Sequence, residues 1–399
     1  MPPADFLRGY WQKRPLLIRN AIPGYVSPIA PEDLAGLACE DGVLARIIEH
    51  DRAADAWTVR QGPFPEDVFP AMPRQDWTLL VQDVDKWDSD IAGLLQHFGF
   101  LPRWRLDDVM VSFAAPGGSV GAHVDQYDVF LLQALGHRRW MIDASVAMGG
   151  AEPPLAFRDD VDIKLLREFT ASHDWVLGPG DMLYLPPNVP HHGVAEDACL
   201  TFSVGMRAPS AAELLGDFAD SLLADADDDL RYADPDLTLP GDPAEIDAAA
   251  MLRVARALEL LRSDDPQRLG DWFGGFITRY RNAGEVAPGD GEEPPRSRIE
   301  VEWDLEHGAE LHRHPYSRMA WRRADVDARL YVNGEAHPLP AEDAITIANA
   351  AVIGGDAYTT LSAGARGCVL ALLEAGHYQL VLEGHGDGDD GDDGDDDGT

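Results

Sequence analysis

The stretch VMVSFAAPGGSVGAHVDQYDVFLLQALGHRRWMI, residues 109–142, alternates apolar and polar side chains as strands do and carries His123-Val-Asp125. Side chains two apart on a strand project to the same face, so this imidazole and carboxylate can bind one metal ion. A second segment, GPGDMLYLPPNVPHHG at 178–193, leads an apolar strand to two adjacent histidines. Two histidines and one carboxylate on one side of a metal, with the other side open, form the site of non-haem iron(II) oxygenases. The two segments together predict such a site.

The choice of ligands rests on the geometry of extended chains. A charged pair at the mouth of a strand is expensive to bury unless it binds something, which favours His123 and Asp125 as ligands over a pair at the surface. Adjacent residues on an extended chain point to opposite faces, so only one of His191 and His192 can join them. We assign His191, the first residue after the PPNVP turn, and expect His192 to support the site from behind or to face outward. Zinc could use the same three groups, because affinity alone does not select iron.

Arg138 is the feature that favours iron used with a co-substrate. It lies on the strand after VFLLQALG, and its planar guanidinium suits two-point contact with a carboxylate. The α-keto acid 2-oxoglutarate needs its keto acid end on the metal and its far carboxylate on such a cation. Ser112, one strand earlier, could supply a hydroxyl to the same carboxylate. Two alternatives stay open, namely a surface arginine paired with an acid and a buried serine bonded to backbone.

Length and charge narrow the functional classes. A chain of 399 residues is too long for one ordinary core, so two or three domains are expected. The formal net charge of −38 argues against direct binding to nucleic acid or to an anionic membrane. Three scattered cysteines without a C-x-x-C pair, and a start without the apolar core of a signal peptide, indicate a cytoplasmic protein. The longest uncharged apolar run, 344–355, is too short to span a bilayer.

Short strands dominate residues 1–208. They are separated by Gly and Pro clusters such as those at 116–121 and 186–190. Many short strands of this kind indicate an antiparallel sandwich or barrel. The predicted strands cover residues 15–22, 77–87, 109–113, 123–132, 138–142, 175–177, 182–185 and 199–204.

Residues 209–282 change to a composition rich in Ala, Leu, Asp and Glu with helical periodicity. Asp242, Pro243 and Glu245 resemble an N-cap, a proline at the first helical position and a capping-box acid. An apolar stripe follows, which must be covered either within the domain or by a second subunit; it comprises Ile246, Ala250, Val254, Ala257, Leu258 and Leu261. Residues 283–297 have the composition of a polar Pro/Gly linker.

Residues 298–383 are predicted to form a small α+β unit. ARLYVNGEAHPL carries a hairpin signal at Asn333-Gly334, a helix is predicted for AEDAITIANAAV, and a strand pair for CVLALLEAG and HYQLVL. This succession resembles a winged helix, although it lacks the basic footprint of a DNA-binding domain. The Gly/Asp tail at 384–399 is predicted to be disordered.

Four segments resemble the bacterial ribosomal-oxygenase branch of the JmjC/cupin superfamily. They are WQKRPLLIRNAIPGY at 11–25, DDVMVSFAAPGGSVGAHVDQYDVFLLQALGHRRW at 107–140, GDMLYLPPNVPHHG at 180–193 and SVGMRAP at 203–209. The resemblance implies a mainly β catalytic domain, the double-stranded β-helix or jelly roll, over 1–208. A helical dimerisation domain at 209–282 and a winged-helix-like domain at 298–383 would follow it.

The same resemblance implies a ligand set, partners and an activity. Fe(II) would be held by His123, Asp125 and His191, and 2-oxoglutarate by Arg138 and Ser112. The chain would form a homodimer through residues 209–282 and use O₂ to hydroxylate an arginine side chain of a large-subunit ribosomal protein.

A cationic substrate suits the acidic surface, because complementary charge steers encounter. Asp108, Tyr127 and Asp128 are candidate contacts for it. Other functions remain open at this point. They are a JmjC oxygenase acting on histidine or methyl-lysine of another protein, a non-catalytic metal-binding cupin interaction module, and a winged-helix regulator with a cupin sensor.

Overall fold

The structure, a computed structural model, describes residues 1–145, 155–224, 226–227, 229, 231–239, 242, 244–259, 265–279 and 296–382. The chain divides into two units, Met1–Ala211 and Ala212–Thr399. Most of the predicted linker at 283–297 lies outside the described residues, as does the predicted disordered tail at 384–399. The finer domain limits stay predictions.

The first unit is built from short strands and a few short helices. Its strands are β1 (Leu16–Ile18), β2 (Ala45–Asp51), β3 (Ala56–Gln61), β4 (Trp77–Val81), β5 (Leu106–Ala114), β6 (Val129–Leu135), β7 (Arg138–Ile142), β8 (His173–Leu177), β9 (Met182–Leu185), β10 (His191–Ala195) and β11 (Cys199–Met206). Its helices are α1 (Pro3–Gly9), α2 (Pro31–Leu37), α3 (Val68–Ala71) and α4 (Ser89–Leu94), with 3₁₀ turns at Val84–Lys86, Leu95–Phe98 and Arg103–Arg105.

These strands form two antiparallel sheets. The larger sheet has the order β1-β9-β6-β11-β5-β4-β2-β3, and the smaller has the order β10-β7-β8. Strand β11, buried along its whole length, lies between β5 and β6 near the middle of the larger sheet. Several neighbouring strands are distant in sequence, such as β1 and β9 or β5 and β11, as in a double-stranded β-helix. The predicted antiparallel jelly roll is confirmed.

The chain passes from the larger sheet to the smaller one between β6 and β7. Gly136 makes this turn with a φ of 62°, and a Cβ there would lie 2.3 Å from the carbonyl oxygen of Ala198. Only glycine combines that backbone conformation with so close an approach. The turn delivers Arg138 to the first position of β7, where its side chain is buried.

The predicted strand at 123–132 is wrong in its first half. The regular strand β6 begins at Val129, and His123 forms only a single bridge, to His191. The carbonyl of Asp125 accepts a hydrogen bond from the Asn188 amide at 2.7 Å. The segment at 123–125 is thus held by single contacts to His191 and Asn188 and not by a continuous strand pairing. The alternating sequence pattern therefore extends beyond the regular strand. Strands β2 and β3 were not predicted, because charged residues interrupt their apolar pattern.

The second unit contains seven helices and six strands in its described residues. The helices are α5 (Ala211–Ala224), α6 (Ala248–Glu259), α7 (Pro266–Thr278), α8 (Arg298–Glu306), α9 (Ala341–Asn349), α10 (Gly355–Thr360) and α11 (Ala363–Glu374). The strands are β12 (Glu310–Arg313), β13 (Met319–Arg323), β14 (Ala328–Val332), β15 (Glu335–Leu339), β16 (Val352–Gly354) and β17 (Tyr378–Val381). They form two sheets with the orders β16-β12-β17 and β13-β14-β15.

Sequence predictions for the second unit are partly confirmed. Asn333 and Gly334 join β14 to β15 with positive φ angles of 44° and 100°, and α9 covers most of AEDAITIANAAV. The strand predicted for CVLALLEAG is wrong, because that segment belongs to α11. Its buried residues, Ala365, Val369 and Leu372, are spaced at the four- and three-residue intervals of a helix.

Helix α6 starts later than its sequence suggested. It begins at Ala248, and the carboxylate of Asp247 accepts a hydrogen bond from the Ala250 amide at 2.7 Å. Asp242 therefore does not cap this helix, and Pro243 lies outside the described residues. No helix in the described ranges is both long and apolar enough to cross a bilayer.

Candidate metal centre

The structure brings His123, Asp125 and His191 together in the first unit. His123 and His191 are joined by two reciprocal backbone hydrogen bonds of 3.0 and 2.9 Å, and His191 opens strand β10. One ligand atom from each of the three side chains lies within 4.8 Å of the other two. Among the described residues, this is the one group of histidine, cysteine and carboxylate side chains that meets that spacing.

Backbone carbonyls orient both imidazoles. His123 donates from Nδ1 to the Gly121 carbonyl at 3.0 Å, and His191 donates from Nδ1 to the Val189 carbonyl at 2.9 Å. In the neutral form of each ring, Nε2 then carries the lone pair, which is the arrangement that metal-binding histidines adopt. The two Nε2 atoms lie 3.9 and 3.6 Å from the two carboxylate oxygens of Asp125. The donor set fits a divalent metal with an open side.

Burial keeps His191 neutral. Its removal from water, together with nearby His123, lowers the pKa of His191 to about 4. An imidazole that is neutral near pH 7 can donate its lone pair without first losing a proton.

His192 faces the other way, as strand alternation predicted. Its Nε2 lies 2.9 Å from the Ser119 hydroxyl, and its ring packs edge-on against Phe169. Ser119 also accepts a hydrogen bond from the Gly121 amide. His192 thus braces the turn that carries His123 and stands outside the group of metal-binding atoms.

The three side chains line a cavity of about 400 Å³ that Arg138 and Ser112 also line. Arg138 donates from one Nη to the Ser112 hydroxyl at 3.2 Å, and its guanidinium lies 5.0 Å from the Trp140 ring centre. Its Nε is buried without a hydrogen-bond partner, and no described carboxylate pairs with it. Burial lowers the pKa of Arg138. A buried, incompletely satisfied guanidinium fits a carboxylate from outside the chain.

Ser112 contacts both Arg138 and a backbone carbonyl, the two alternatives that the sequence left open. Its hydroxyl accepts from Arg138 and lies 3.4 Å from the Thr201 carbonyl, a long contact. Because the hydroxyl faces the same cavity, it remains available to a ligand bound at the guanidinium. We call Arg138 and Ser112 the basic end of the cavity.

Asp108 and Tyr127 line the cavity away from the basic end. Asp108 precedes Ser112 by four residues on β5, so the two lie on one strand face roughly 13 Å apart. Burial and the carboxylates of Asp83 and Asp107 raise the pKa of Asp108 to about 7. Burial, followed by the charge of Asp125, raises the pKa of Tyr127. We call Asp108 and Tyr127 the acidic end.

Asp128 was wrong as a candidate substrate contact. Its side chain is fully buried, and it accepts hydrogen bonds from the Tyr184 hydroxyl at 2.6 Å, Gln12 at 2.9 Å and Arg105 at 3.2 Å. This network ties the N-terminal segment to the sheet. The role of Asp128 is structural.

Two cations that line the cavity were not predicted as site residues. Arg46 lies on β2, a strand that was not predicted, and Lys164 lies in the segment before β8. The chain has only three lysines, so the rarity of Lys164 was the one available signal.

Two known families match the chain, one mainly in the first unit and one in the second. Residues 93–214 match the family described as the JmjC domain, and residues 260–379 match the ROXA-like winged helix. The first match contains the three candidate ligands together with Arg138 and Ser112. The second covers α7 through the first half of β17.

Individual relatives match over most of the chain. Ribosomal protein uL16 3-hydroxylase of Escherichia coli is 37% identical over 341 residues, which is 86% of this chain and 87% of the relative. A probable ribosomal oxygenase of Haemophilus influenzae is 41% identical over 241 residues, 59% of this chain and 57% of the relative. The solved structure of the Escherichia coli ribosomal oxygenase YcfD with cobalt and 2-oxoglutarate superposes with a TM-score of 0.80 at 33% identity. It covers 96% of this chain and 99% of its own.

Proposed function

The chain belongs to the JmjC-domain ribosomal oxygenases, and on that premise we propose that it hydroxylates an arginine side chain of ribosomal protein uL16. As a member of this family it is a 2-oxoglutarate-dependent oxygenase. The observation that carries the proposal is the cavity that His123, Asp125 and His191 share with the buried, incompletely paired guanidinium of Arg138.

His123, Asp125 and His191 hold Fe(II) in this proposal. Bound there, iron supplies O₂ activation coupled to the decarboxylation of 2-oxoglutarate, and one oxygen atom enters a substrate C–H bond. The protein contributes one carboxylate and two Nε2 atoms, and the carbonyls of Gly121 and Val189 orient the two imidazoles. Zinc fits the same donors but has no redox chemistry, so it cannot support this reaction.

Arg138 and Ser112 hold the far carboxylate of 2-oxoglutarate. The Arg138 guanidinium has donors to spare, and the Ser112 hydroxyl adds one more. Both groups are buried, so the contact is little screened by water. Leu131 and Trp140 also line the cavity and contribute apolar surface to it.

The acidic end holds the cationic target side chain. A guanidinium beside Asp108 would favour the ionised carboxylate and offset the repulsion that its acidic neighbours impose. Tyr127 adds a hydroxyl that can donate or accept. An arginine bound there would extend from Asp108 toward the metal, since Asp108 and the ligands line one cavity.

Dimerisation through residues 209–282 belongs to the proposal as well. Helix α6 and the residues before it expose large apolar side chains, among them Ile246 at 78% and Leu258 at 69%. A second copy covering this face would remove them from water. Light scattering should then give the mass of a dimer in solution, and a monomer at high concentration would contradict this part. The proposal also places the protein in the cytoplasm, where ribosomal proteins are made.

The experiment that tests the function is anaerobic reconstitution with Fe(II) and 2-oxoglutarate, followed by air and mass spectrometry of ribosomal proteins. The expected result is the gain of one oxygen on an arginine of uL16, with one succinate formed per modification. Asp125→Ala, a ligand variant, should give neither product. Oxidation of a histidine, or of a different protein, would overturn the substrate assignment.

A further inference from the structure

Three cations line the cavity without a carboxylate partner among the described residues. They are Lys164, Arg46 and Arg138. Most of the arginines that form ion pairs among the described residues lie at the surface, where carboxylates are abundant. These three cations are distinguished by sharing one cavity.

The three cations lie at increasing depth. Lys164 is exposed, Arg46 is half-buried, and Arg138 is 2% exposed. The Nε of Arg46 is buried without a hydrogen-bond partner, as is that of Arg138. Arg46 also lies in line with the basic end, because it pairs with Leu80, and Leu80 pairs with Ser112 across adjacent strands. The positive groups thus lead from the cavity mouth to the carboxylate-binding floor.

The charge of the cavity differs from that of the whole chain. The chain has 70 acidic and 32 basic residues, whereas the cavity lining has three of each, the acidic ones being Asp108, Asp125 and Asp162. A bound divalent metal would make the lining positive. A dianion that approaches a chain of charge −38 is repelled over most of the surface. It needs a local region where the potential reverses.

The backbone around Lys164 is fixed while its ammonium is left free. The amide of Arg158 donates to the Leu165 carbonyl, and the Leu166 amide donates to the Ala122 carbonyl, both at 2.8 Å. The Arg158 guanidinium pairs with Asp55 at 2.8 Å, which anchors the segment to the β2–β3 hairpin. Lys164 is therefore held at the cavity by its neighbours and not by its own charge.

We propose that Lys164 attracts the dianionic co-substrate to the cavity mouth and starts an access path that continues through Arg46 to Arg138. This inference rests on the proposed function, because it takes 2-oxoglutarate as the anion. The role is kinetic: Lys164 raises the rate at which 2-oxoglutarate associates and contributes little once it is bound.

The test compares Lys164→Gln with Arg74→Gln, which removes one positive charge from an exposed position outside the cavity lining. Stopped-flow tryptophan fluorescence would follow 2-oxoglutarate binding to the Mn(II)-loaded protein without O₂, since Trp140 lines the site. We expect Lys164→Gln to lower the association rate about threefold at low ionic strength, and Lys164→Glu about tenfold. Both losses should shrink at high salt, with dissociation rates unchanged.

The second readout is the KM of a cationic substrate peptide. Lys164→Gln should leave that KM unchanged or lower it, because removing a positive charge cannot weaken the approach of a cation. Equal association rates in Lys164→Gln and Arg74→Gln would overturn the inference. So would a raised peptide KM with unchanged 2-oxoglutarate association, which would make Lys164 a substrate contact. A wild-type protein that does not bind 2-oxoglutarate would instead refute the proposed function.

Discussion

At the basic end of the cavity, burial acts on the guanidinium of Arg138, and at the acidic end it acts on the carboxylate of Asp108. The pKa of Arg138 is lowered and the pKa of Asp108 is raised to about 7, so each end disfavours its own charged form until a ligand arrives. The basic end offers hydrogen-bond donors to an anion, and the acidic end offers acceptors to a cation. In the proposed function, these opposite charges separate the co-substrate from the substrate within one cavity.

The two ends also differ in how many contacts hold their charged side chains in place. Arg138 is fixed by Ser112 and by the Trp140 ring. Asp108 accepts one long hydrogen bond, 3.3 Å from the Asp83 amide, and is otherwise surrounded by acids. A carboxylate that is poorly stabilised in the free protein is common at binding sites, and a cationic ligand would stabilise it. We expect the basic end to control the reaction that the family shares and the acidic end to control the choice of substrate.

The largest expected effect comes from removing the metal between the two ends. His191→Ala should abolish metal binding and turnover, because only one histidine and one carboxylate remain. His192→Ala is the matched control, since its ring faces Ser119 on the other side of β10. Calorimetric titration with Mn(II) checks both variants. Equal loss in both would mean that the assignment of faces is wrong.

Arg138→Met should raise the KM for 2-oxoglutarate a hundredfold or more, the equivalent of about 3 kcal/mol from two charge-assisted hydrogen bonds. Arg138→Lys keeps the charge but loses the two-point contact, so an intermediate, roughly tenfold rise is expected. Arg139→Met should stay within about twofold, because Arg139 pairs with Glu196 and Asp174 at the surface. Succinate formation measured against 2-oxoglutarate concentration separates these results, and an unaffected Arg138→Met would remove the basic end from the account.

Asp108→Asn tests the acidic end through pH. In the free protein, Asp108 ionises near pH 7, so the KM of the wild type for a cationic peptide should fall as pH rises from about 6 to about 8. The Asn variant should bind the peptide about tenfold more weakly near pH 8 and show a flat profile.

Although Asp108→Asn should weaken peptide binding, it should increase the thermal stability of the protein. The folded pKa of Asp108 lies above its unfolded value, so above pH 7 the folded state must hold a charge that water would solvate better. Asp108→Asn should therefore raise the melting temperature near pH 8. A variant that lost both peptide binding and thermal stability would point to a structural role for Asp108.

Ser112→Ala should give the smallest effect. Losing one neutral hydrogen-bond donor should raise the KM for 2-oxoglutarate about fivefold and leave the peptide KM unchanged. A rise in the peptide KM instead would show that the two ends are not separate. Steady-state kinetics with each substrate varied in turn distinguishes the two results.

The three candidate metal ligands and the basic end were predictable from sequence, and the acidic end only in part. His123 and Asp125 are two apart, and strand alternation separates His191 from His192, so local spacing was enough to find the metal-binding face. The metal-ligand roles themselves stay predictions. Asp108 was predicted as a candidate contact for a cationic substrate, but its raised pKa could not be predicted.

The sequence could not predict which side chains from different strands and turns meet in the cavity. The raised pKa of Asp108 depends on Asp83, which reaches it from a separate turn, and Arg46 enters the cavity from β2, two strands from Ser112. Such neighbours depend on sheet order, which periodicity does not encode. Asp128 shows the converse, since its charge suggested a substrate contact while folding buried it beneath Tyr184. The helix α11, mistaken for a strand, shows that a short apolar run does not distinguish the two periods.

The central claim is that three side chains hold one iron between the basic and acidic ends. The most direct measurement is a crystal structure of the protein loaded with Fe(II) and 2-oxoglutarate under anaerobic conditions, with an anomalous difference map at the iron edge. We expect one peak, bound by Nε2 of His123, Nε2 of His191 and the Asp125 carboxylate, with the far carboxylate of 2-oxoglutarate against Arg138. A peak elsewhere, or 2-oxoglutarate bound away from Arg138, would contradict it.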